Sequence, residues 1–346
     1  MLPPFTRPDY PMQPTWPTPQ AWQQALRTLI TDPSELLELL ELPATEAEVW
    51  SDAEFRLQVP RSFAARMQPG NRQDPLLLQV LPQQRERLQV PGFGADPLAE
   101  LTSNPRQGLV HKYHDRVLLI ASGGCAINCR YCFRRHFPYQ QNQLGPDQWR
   151  EVMDYVSAQP QLHEVIFSGG DPLVTADNRL ARMIEELASI PHLRRIRVHS
   201  RLPVVIPERV TQSLVQALSA TRLRAVLVLH CNHAQEVNAE VEAAIKRLRD
   251  ADITVLNQSV LLRGINDSVE AQQQLSETLF RSGVLPYYLF VLDPVAGAAH
   301  FDVPDAEARQ LVGELQTRLP GYLVPRLARE IPGRPSKTLL LPTLPD

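Results

Sequence analysis

Short β-branched or leucine-rich runs alternate with amphipathic stretches from about residue 111 to the end of the chain. Six such pairs imply a parallel sheet, because each crossover helix returns the chain to begin another strand in the same direction. The strands are predicted at 117–122, 164–168, 195–199, 224–230, 253–258 and 287–293, and the helices at 146–158, 178–189, 207–219, 234–251, 268–282 and 304–318. Six units are too few for a closed eight-stranded barrel, so we expect an α/β fold that is either a partial, open barrel or a doubly wound sheet.

The first hundred or so residues follow a different pattern. Seven of the first twenty are proline, which predicts an extended start. Apolar residues then recur at helical spacing over 22–30, and Asp32, Pro33 and Glu35 supply the start of a second helix. We interpret 1–108 as a mainly helical extension with little chemistry of its own, 109–326 as the α/β core and 327–346 as a C-terminal segment.

Charge and hydropathy exclude several classes of protein. The 35 Lys and Arg nearly balance the 38 Asp and Glu, which argues against a nucleic-acid or membrane-surface partner. No apolar run approaches the roughly 18 residues of a membrane span. The N-terminal residues lack the basic and apolar regions of a secretory signal, so we expect none. We therefore expect a cytoplasmic protein. Four cysteines are too few for a disulfide framework in a chain of 346 residues.

Three cysteines fall in one loop directly after the first predicted strand. Cys125, Cys129 and Cys132 have the spacing C-x3-C-x2-C. Three thiolates this close can hold three irons of a four-iron cluster and leave the fourth iron open to a substrate or cofactor. A zinc site or unligated thiols are the alternatives; structural zinc takes four ligands, and Cys231 lies about a hundred residues away. We expect Cys231 to be a core residue.

The string CAINCRYCFRR resembles the lysine 2,3-aminomutase family of the radical S-adenosylmethionine (SAM) superfamily, over residues from about 111 to 342. The resemblance implies a partial (β/α)6 radical SAM barrel, a 4Fe-4S cluster, SAM and pyridoxal phosphate (PLP). It also implies an isomerase that converts L-lysine to β-lysine, with a flavodoxin or ferredoxin as reductant. The short chain looks most like bacterial members that make (R)-β-lysine for elongation factor P, which implies a functional link to the lysyl ligase of that factor.

The longer aminomutases continue beyond the PLP lysine into a region associated with zinc and subunit assembly. This sequence ends nine residues after the matching Lys337. The resemblance therefore implies no zinc and a weaker or differently built oligomer.

Polar residues at the ends of three predicted strands supply a candidate SAM site. The two glycines of SGGD let the backbone approach a ligand closely, and the carboxylate or the carbonyls of this segment can accept from an ammonium group. A tight turn and ordinary strand-end hydrogen bonding are the plain alternatives. The resemblance implies SAM contacts at Ser168, Gly169, Gly170, Asp171, His230 and Gln258. Ser200 and Arg201, after the third strand, are pocket candidates by position alone.

Two basic segments supply a candidate PLP site. Lys112, Tyr113 and Arg116 combine two cations with a phenol, which can hold a phosphate. The resemblance implies that these residues bind the phosphate of PLP. Lys112 replaces an Arg that is common in the family, which keeps the charge but loses the two-pronged contact of a planar guanidinium. Lys337 follows a proline-rich turn, and a partly desolvated lysine can form a Schiff base with an aldehyde. The resemblance implies that Lys337 anchors PLP, although residues 334–336 replace much of the family's glycine.

The resemblance also implies three substrate contacts. Arg134 would pair with the lysine carboxylate, and Asp293 and Glu330 with the ε-ammonium, Glu330 standing where the lysine enzymes carry Asp. An acidic pair disfavours apolar amino acids and glutamate, because either would leave buried carboxylates without a counter-charge. Surface roles for these residues, or Arg135 in place of Arg134, are the alternatives. The rival functions are an enzyme of the same fold without PLP, an aminomutase of glutamate or arginine, and a non-catalytic iron-sulfur or zinc protein.

Overall fold

The structure is a computed structural model that describes residues 16–43, 49–50 and 55–345. Most of the proline-rich start, predicted to be extended, lies outside the described residues. No helix in the described part of the chain is long and apolar enough to span a membrane.

One nine-stranded sheet runs through the molecule, and its strands are adjacent in chain order. Seven central strands are parallel, and the first and last strands pair antiparallel to their neighbours. The strands are β1 Leu109–Tyr113, β2 Arg116–Ser122, β3 Glu164–Gly169, β4 Arg195–Ser200, β5 Arg224–His230, β6 Thr254–Val260, β7 Leu285–Phe290, β8 Arg326–Arg329 and β9 Thr338–Leu339. All six predicted strands are confirmed; β1, β8 and β9 were not predicted.

The strand order decides between the two architectures left open by the sequence. A doubly wound sheet reverses its strand order at a switch point, whereas this sheet never reverses. Right-handed crossovers in one direction place all of their helices on the same face of the sheet. The sheet is therefore that of a partial barrel, with the helices on its outer face and the carboxyl ends of the parallel strands at one rim.

The crossover helices match the prediction closely. Two begin later than predicted, because Pro207–Arg209 and Ala234–Glu236 form 3-10 turns before caps at Thr211 and Asn238. The helices are α1 Pro19–Arg27, α2 Pro33–Leu39, α3 Arg61–Ala64, α4 Pro75–Leu78, α5 Pro146–Ser157, α6 Asp177–Ala188, α7 Leu202–Val205, α8 Gln212–Ser219, α9 Ala239–Asp250, α10 Val269–Arg281 and α11 Asp305–Arg318.

The N-terminal extension shares the core of the barrel. Its helices α1 to α4 are short, and the longest has nine residues. Trp22, Ile30 and Phe63 are buried in the same apolar cluster as Phe167 of β3. Burial of these side chains ties the extension to the sheet, so that its polar residues reach the cavity described next.

Candidate active site

The barrel interior holds one large cavity of about 400 Å³ among the described residues. Every residue that the sequence predicted for a cluster, cofactor or substrate lines it. These are Lys112, Tyr113, Arg116, Cys125, Cys129, Cys132, Arg134, Ser168, Gly169, Gly170, Asp171, His230, Gln258, Asp293, Glu330 and Lys337. Residues more than two hundred positions apart in the chain therefore meet in one space.

The cysteine loop is held by the N-terminal extension. Gln58 Nε2 donates to the carbonyl of Cys125, and the Gln58 carbonyl accepts from the Asn128 amide at 3.0 Å. The Arg130 amide donates to the Gln79 carbonyl at 2.9 Å. The extension was expected to carry little chemistry, yet its backbone and side chains fix the geometry of the loop.

The donor set of the loop fits an iron-sulfur cluster. Arg201 Nη1 donates to Cys129 Sγ at 2.7 Å, and Arg201 Nε is buried without a partner among the described residues. Burial, then Cys129, raises the pKa of the Cys132 thiol to about 11. A thiol in such a site loses its proton when a metal takes the proton's place. Three cysteines that line one cavity, with an arginine N–H donated to one of their sulfurs, fit a cluster held by thiolates.

The glycines of SGGD bring this turn against the cysteine loop. Gly169 has φ +113°, and a Cβ there would lie 2.4 Å from the Ser122 carbonyl oxygen. A Cβ on Gly170 would lie 2.3 Å from the Gly124 carbonyl oxygen. Both positions require glycine, so the predicted SAM turn sits directly beside the predicted cluster ligands.

The Asp171 carboxylate holds the turn together. Oδ1 accepts from the Leu173 amide and Ser200 Oγ, and Oδ2 accepts from the amides of Arg201 and Leu202, all within 3.0 Å. Four hydrogen bonds occupy this carboxylate. The choice left open between carboxylate and carbonyl acceptors for an ammonium therefore favours the carbonyls of this segment.

His230 and Gln258 are partners in register on the neighbouring strands β5 and β6. His230 Nε2 is hydrogen-bonded to Tyr131 Oη at 2.9 Å. Burial, then the Arg201 charge, lowers the pKa of His230 to about 3, so its imidazole is neutral. The pair presents neutral hydrogen-bonding groups to the cavity.

Lys337 lies at the other end of the cavity, among aromatic rings. Its Nζ is 3.1 Å from Glu330 Oε2 and lies 5.3 Å, 5.6 Å and 6.0 Å from the ring centroids of Tyr113, Phe290 and Tyr288. An aldehyde cofactor stacked among these rings would lie within reach of this amine.

The basic segment of β1 and β2 surrounds the same end. Arg116 stacks over the Tyr113 ring at 4.5 Å, and its Nη1 is 2.7 Å from Asp115 Oδ1. Lys112 Nζ lies 3.5 Å from Glu330 and 3.8 Å from Glu100. The two cations and the phenol therefore line the cavity that Lys337 reaches, which fits a phosphate at this end.

Arg134 is engaged by a residue that the sequence did not single out. Its Nε and Nη2 donate to both oxygens of Glu100 at 2.7 and 2.8 Å. Its Nη1 donates to Ser168 Oγ at 3.0 Å and to the Gly169 carbonyl at 3.1 Å. Four of the five N–H groups of a guanidinium are thus used, and one N–H on Nη2 remains for a substrate carboxylate.

Asp293 and Glu330, predicted to bind the ε-ammonium, both line the cavity. Asp293 follows β7 rather than ending it, because that strand stops at Phe290. Burial, then the charges of Glu330 and Glu100, raises the pKa of Asp293 to about 7. A buried carboxyl group whose pKa is raised by neighbouring carboxylates lies in a site that favours a cation.

Several cavity or support residues were missed by the sequence argument. Side chains alternate between the two faces of β4, and Arg197 and His199 on one face line the cavity. This two-residue alternation in the sequence could have predicted both. His199 Nε2 is buried without a partner in the described part of the chain. Tyr131 lies within the cysteine loop, but its type alone did not mark it. No local pattern marks the others, which reach the site from distant segments: Gln79, Glu100 and Glu236.

Comparison with known proteins gives a consistent result. The family profile of the radical SAM superfamily matches residues 119–271. The chain is 52% identical to the L-lysine 2,3-aminomutase of Escherichia coli K12, over 94% of this chain and 95% of that protein. It is 47% identical to the Haemophilus influenzae protein of the same name, over 95% and 98%. It is 34% identical to the Clostridium subterminale one, over 93% and 78%.

Solved structures give a weaker likeness. One is the crystal structure of Streptococcus suis SuiB bound to S-adenosylmethionine, with a TM-score of 0.46 and 16% identity over 65% of this chain and 52% of that chain. The assignment rests on the sequence relatives, which match nearly the whole chain. Their family implies a 4Fe-4S cluster, SAM and PLP as cofactors. The chain belongs to the lysine 2,3-aminomutase family of radical SAM enzymes and is an isomerase.

Proposed function

We propose that this chain converts L-lysine to (R)-β-lysine, and that the product serves the modification of elongation factor P by its lysyl ligase. One observation carries the reaction: the cysteine triad, Lys337 and an acidic pair share a single cavity. The R configuration and the link to elongation factor P are supported by the resemblance to short bacterial members of the family.

Residue roles follow from the two ends of the cavity. Cys125, Cys129 and Cys132 would hold the cluster, with the SGGD turn, His230 and Gln258 beside it for SAM. When bound, the cluster and SAM supply a radical able to remove hydrogen from an unactivated C–H bond, and PLP supplies the carbonyl group that carries the migrating nitrogen. We propose a reduced flavodoxin or ferredoxin as the electron source.

At the other end, Lys112, Tyr113 and Arg116 would hold the PLP phosphate, and Lys337 would hold its aldehyde carbon. This assignment is unusually easy to test, because the sequence contains three lysines. Lys337 and Lys112 line the cavity, whereas Lys246 is half exposed on α9 and pairs with Asp250.

Substrate selection would use both ends of lysine. The remaining N–H of Arg134 would bind the carboxylate, and Asp293 and Glu330 would bind the ε-ammonium. Glutamate would be repelled by the acidic pair, and an apolar amino acid would displace water from these carboxylates without supplying a cation in its place.

The test of the anchor is borohydride reduction of the PLP-loaded protein, followed by peptide mapping. We expect the reduced adduct on the peptide that contains Lys337, and its loss in Lys337→Ala but not in Lys246→Ala. An adduct on Lys112, or an unchanged adduct in Lys337→Ala, would contradict the assignment.

The reaction itself is tested with free L-lysine, SAM, PLP and a reductant. We expect β-lysine, and chiral chromatography should show the R enantiomer. An S product would contradict only the proposed stereochemistry. The absence of lysine turnover with a complete set of cofactors would contradict the proposal that lysine is the substrate.

A further inference from the structure

Arg201 lies where the predicted SAM turn meets the cysteine loop. Its backbone amide donates to Asp171 Oδ2 at 2.7 Å, and the preceding Ser200 Oγ donates to Asp171 Oδ1 at 2.7 Å. Asp171 thus fixes the point at which the Arg201 side chain leaves the backbone. The side chain crosses to the cysteine loop, where 6% of the residue's surface remains exposed.

The guanidinium is held by hydrogen bonds from three different segments. Nη1 donates to Cys129 Sγ at 2.7 Å and to Tyr131 Oη at 2.8 Å. Nη2 donates to Gln79 Oε1 at 2.7 Å and to Glu236 Oε2 at 3.0 Å. The Nε–H group, on the same edge of the guanidinium as Nη2, is buried with no acceptor among the described residues.

The counter-charge lies on the side of Arg201 remote from the sulfur. Glu236 is fully buried, and its Oε1 accepts from the amides of Asn232 at 2.9 Å and His233 at 3.1 Å. The carboxylate pairs with Nη2, whereas the sulfur contact is made by Nη1. A positive charge therefore touches the sulfur, with a fixed negative charge behind it.

We infer that Arg201 raises the reduction potential of the four-iron cluster by donating to the sulfur of Cys129, and that Glu236 limits this effect. Reduction adds an electron to an anionic group in a poorly polarisable interior. A cation in contact with a ligand sulfur stabilises the reduced form more than the oxidised form, and hydrogen bonds to sulfur act in the same direction. The inference rests on the proposed function, because it requires the cluster at the three cysteines.

The pair of opposite charges gives a test that a purely structural role would fail. Arg201→Gln removes the cation, and Glu236→Gln removes the anion while keeping an oxygen for the two backbone amides. The midpoint potential is measured in the reconstituted full chain without SAM, by redox titration followed by electron paramagnetic resonance. Iron and sulfide contents are measured on the same samples.

We expect Arg201→Gln to reduce the ratio of reduced to oxidised cluster at least tenfold at a fixed potential, which is a shift of about 59 mV to more negative values for one electron. Glu236→Gln should shift the ratio in the opposite direction. Arg201→Lys retains the charge but loses the planar guanidinium with its two terminal nitrogens, and it should shift the ratio less than Arg201→Gln. Arg247→Gln is the control, because Arg247 is also buried but donates to the carbonyls of Pro207 and Val210.

Shifts of the same sign in the Arg201 and Glu236 variants, or a change below twofold at full iron content, would overturn the inference. If Arg201→Gln fails to fold, the sign of the Glu236→Gln shift decides: a positive shift supports it, and no shift or a negative one overturns it. Failure of the unsubstituted chain to assemble a four-iron cluster would instead contradict the proposed function.

Discussion

The two ends of the active-site cavity are built in different ways. At the cluster end, the side chains of Arg201 and Glu236 are 5% and 0% exposed and form hydrogen bonds with several segments. At the lysine end, Lys337 and Glu330 are 22% and 18% exposed, and Lys112 is 13% exposed. One end is a dry network of fixed hydrogen bonds, and the other is a set of partly solvated ion pairs.

The difference follows from what each end has to do. A cluster stays bound through many turnovers, so its surroundings gain from being fixed in advance. At the lysine end, Glu330 is shared by Lys337 and Lys112. In the proposed roles, these ions would exchange partners when a phosphate, an aldehyde and a substrate ammonium bind. Partly solvated pairs exchange at low cost because each contributes little to stability.

The largest expected effect is loss of the cluster from one end of the cavity while the other end still binds PLP. Cys129→Ala should remove the cluster and reduce SAM cleavage to background, because two thiolates cannot hold three irons. Borohydride trapping of PLP at Lys337 should persist, because no cysteine lies among the groups that contact this lysine. The measurements are iron content, 5′-deoxyadenosine formation and adduct yield.

Cys231→Ala is the matched control for that experiment. Cys231 is fully buried after β5, as expected for a core residue, and should be replaceable without loss of iron. Loss of the PLP adduct together with the cluster in Cys129→Ala would show that the two ends are not independent.

A second prediction compares the stability of the ion pairs themselves. Glu86 and Arg130 have fully buried side chains and support the cysteine loop, with Arg130 Nε donating to Glu86 Oε1 at 2.9 Å. Glu86→Ala removes the carboxylate from two buried cations, Arg130 and Arg135, and should cost at least about 3–5 kcal/mol in the free energy of unfolding. Glu330→Ala breaks partly solvated pairs and should cost less than about 1 kcal/mol. Urea denaturation of both variants measures the two costs.

Equal losses in these two variants would contradict the contrast between a fixed and an exchangeable end. Asp250→Ala provides a baseline, because Asp250 pairs with Lys246 on the exposed face of α9 at 53% exposure on both sides. Its loss should be close to zero.

The same contrast explains what the sequence could reveal. The cysteine triad and the SGGD turn are contiguous, and six strands and six helices carry their own periodicity, so local patterns were sufficient to predict them. β8 and β9 have four and two residues, too few for a period to be read. β1 was overlooked because its antiparallel pairing with β2 falls outside the strand-then-helix repeat.

The supporting residues could not be read from local patterns. Gln79 and Glu100 stand in a region of weak periodicity, and their contacts with Arg201 and Arg134 span 122 and 34 positions of the chain. A polar residue in an irregular segment is normally solvated, so nothing in its neighbours marks it as buried. The three-dimensional packing of the extension onto the barrel is the missing information.

The third prediction sharpens the description of the lysine end through pH. Burial, then Glu330 and Glu100, raises the pKa of Asp293 from 3.8 to about 7, against the opposing charges of Lys112 and Arg329. Below pH 7 Asp293 is protonated, so its attraction for the ε-ammonium weakens. We expect kcat/KM for lysine to fall up to tenfold for each pH unit below 7, because the ionised fraction falls by that factor.

Asp293→Asn tests the origin of this slope. The variant should have a lower kcat/KM at pH 8, and its kcat/KM should no longer fall as the pH drops below 7. The free energy of unfolding provides a second readout with a defined sign. Because the pKa of Asp293 is higher in the folded chain than in the unfolded chain, its protonation stabilises the fold fully below the unfolded pKa of 3.8, and this stabilisation is lost as the pH rises to about 7. The unsubstituted chain should therefore lose stability between pH 4 and 7 relative to Asp293→Asn. If kcat/KM of Asp293→Asn still fell below pH 7, the titrating group would be another residue, and the proposed role of Asp293 in binding the ammonium would be contradicted.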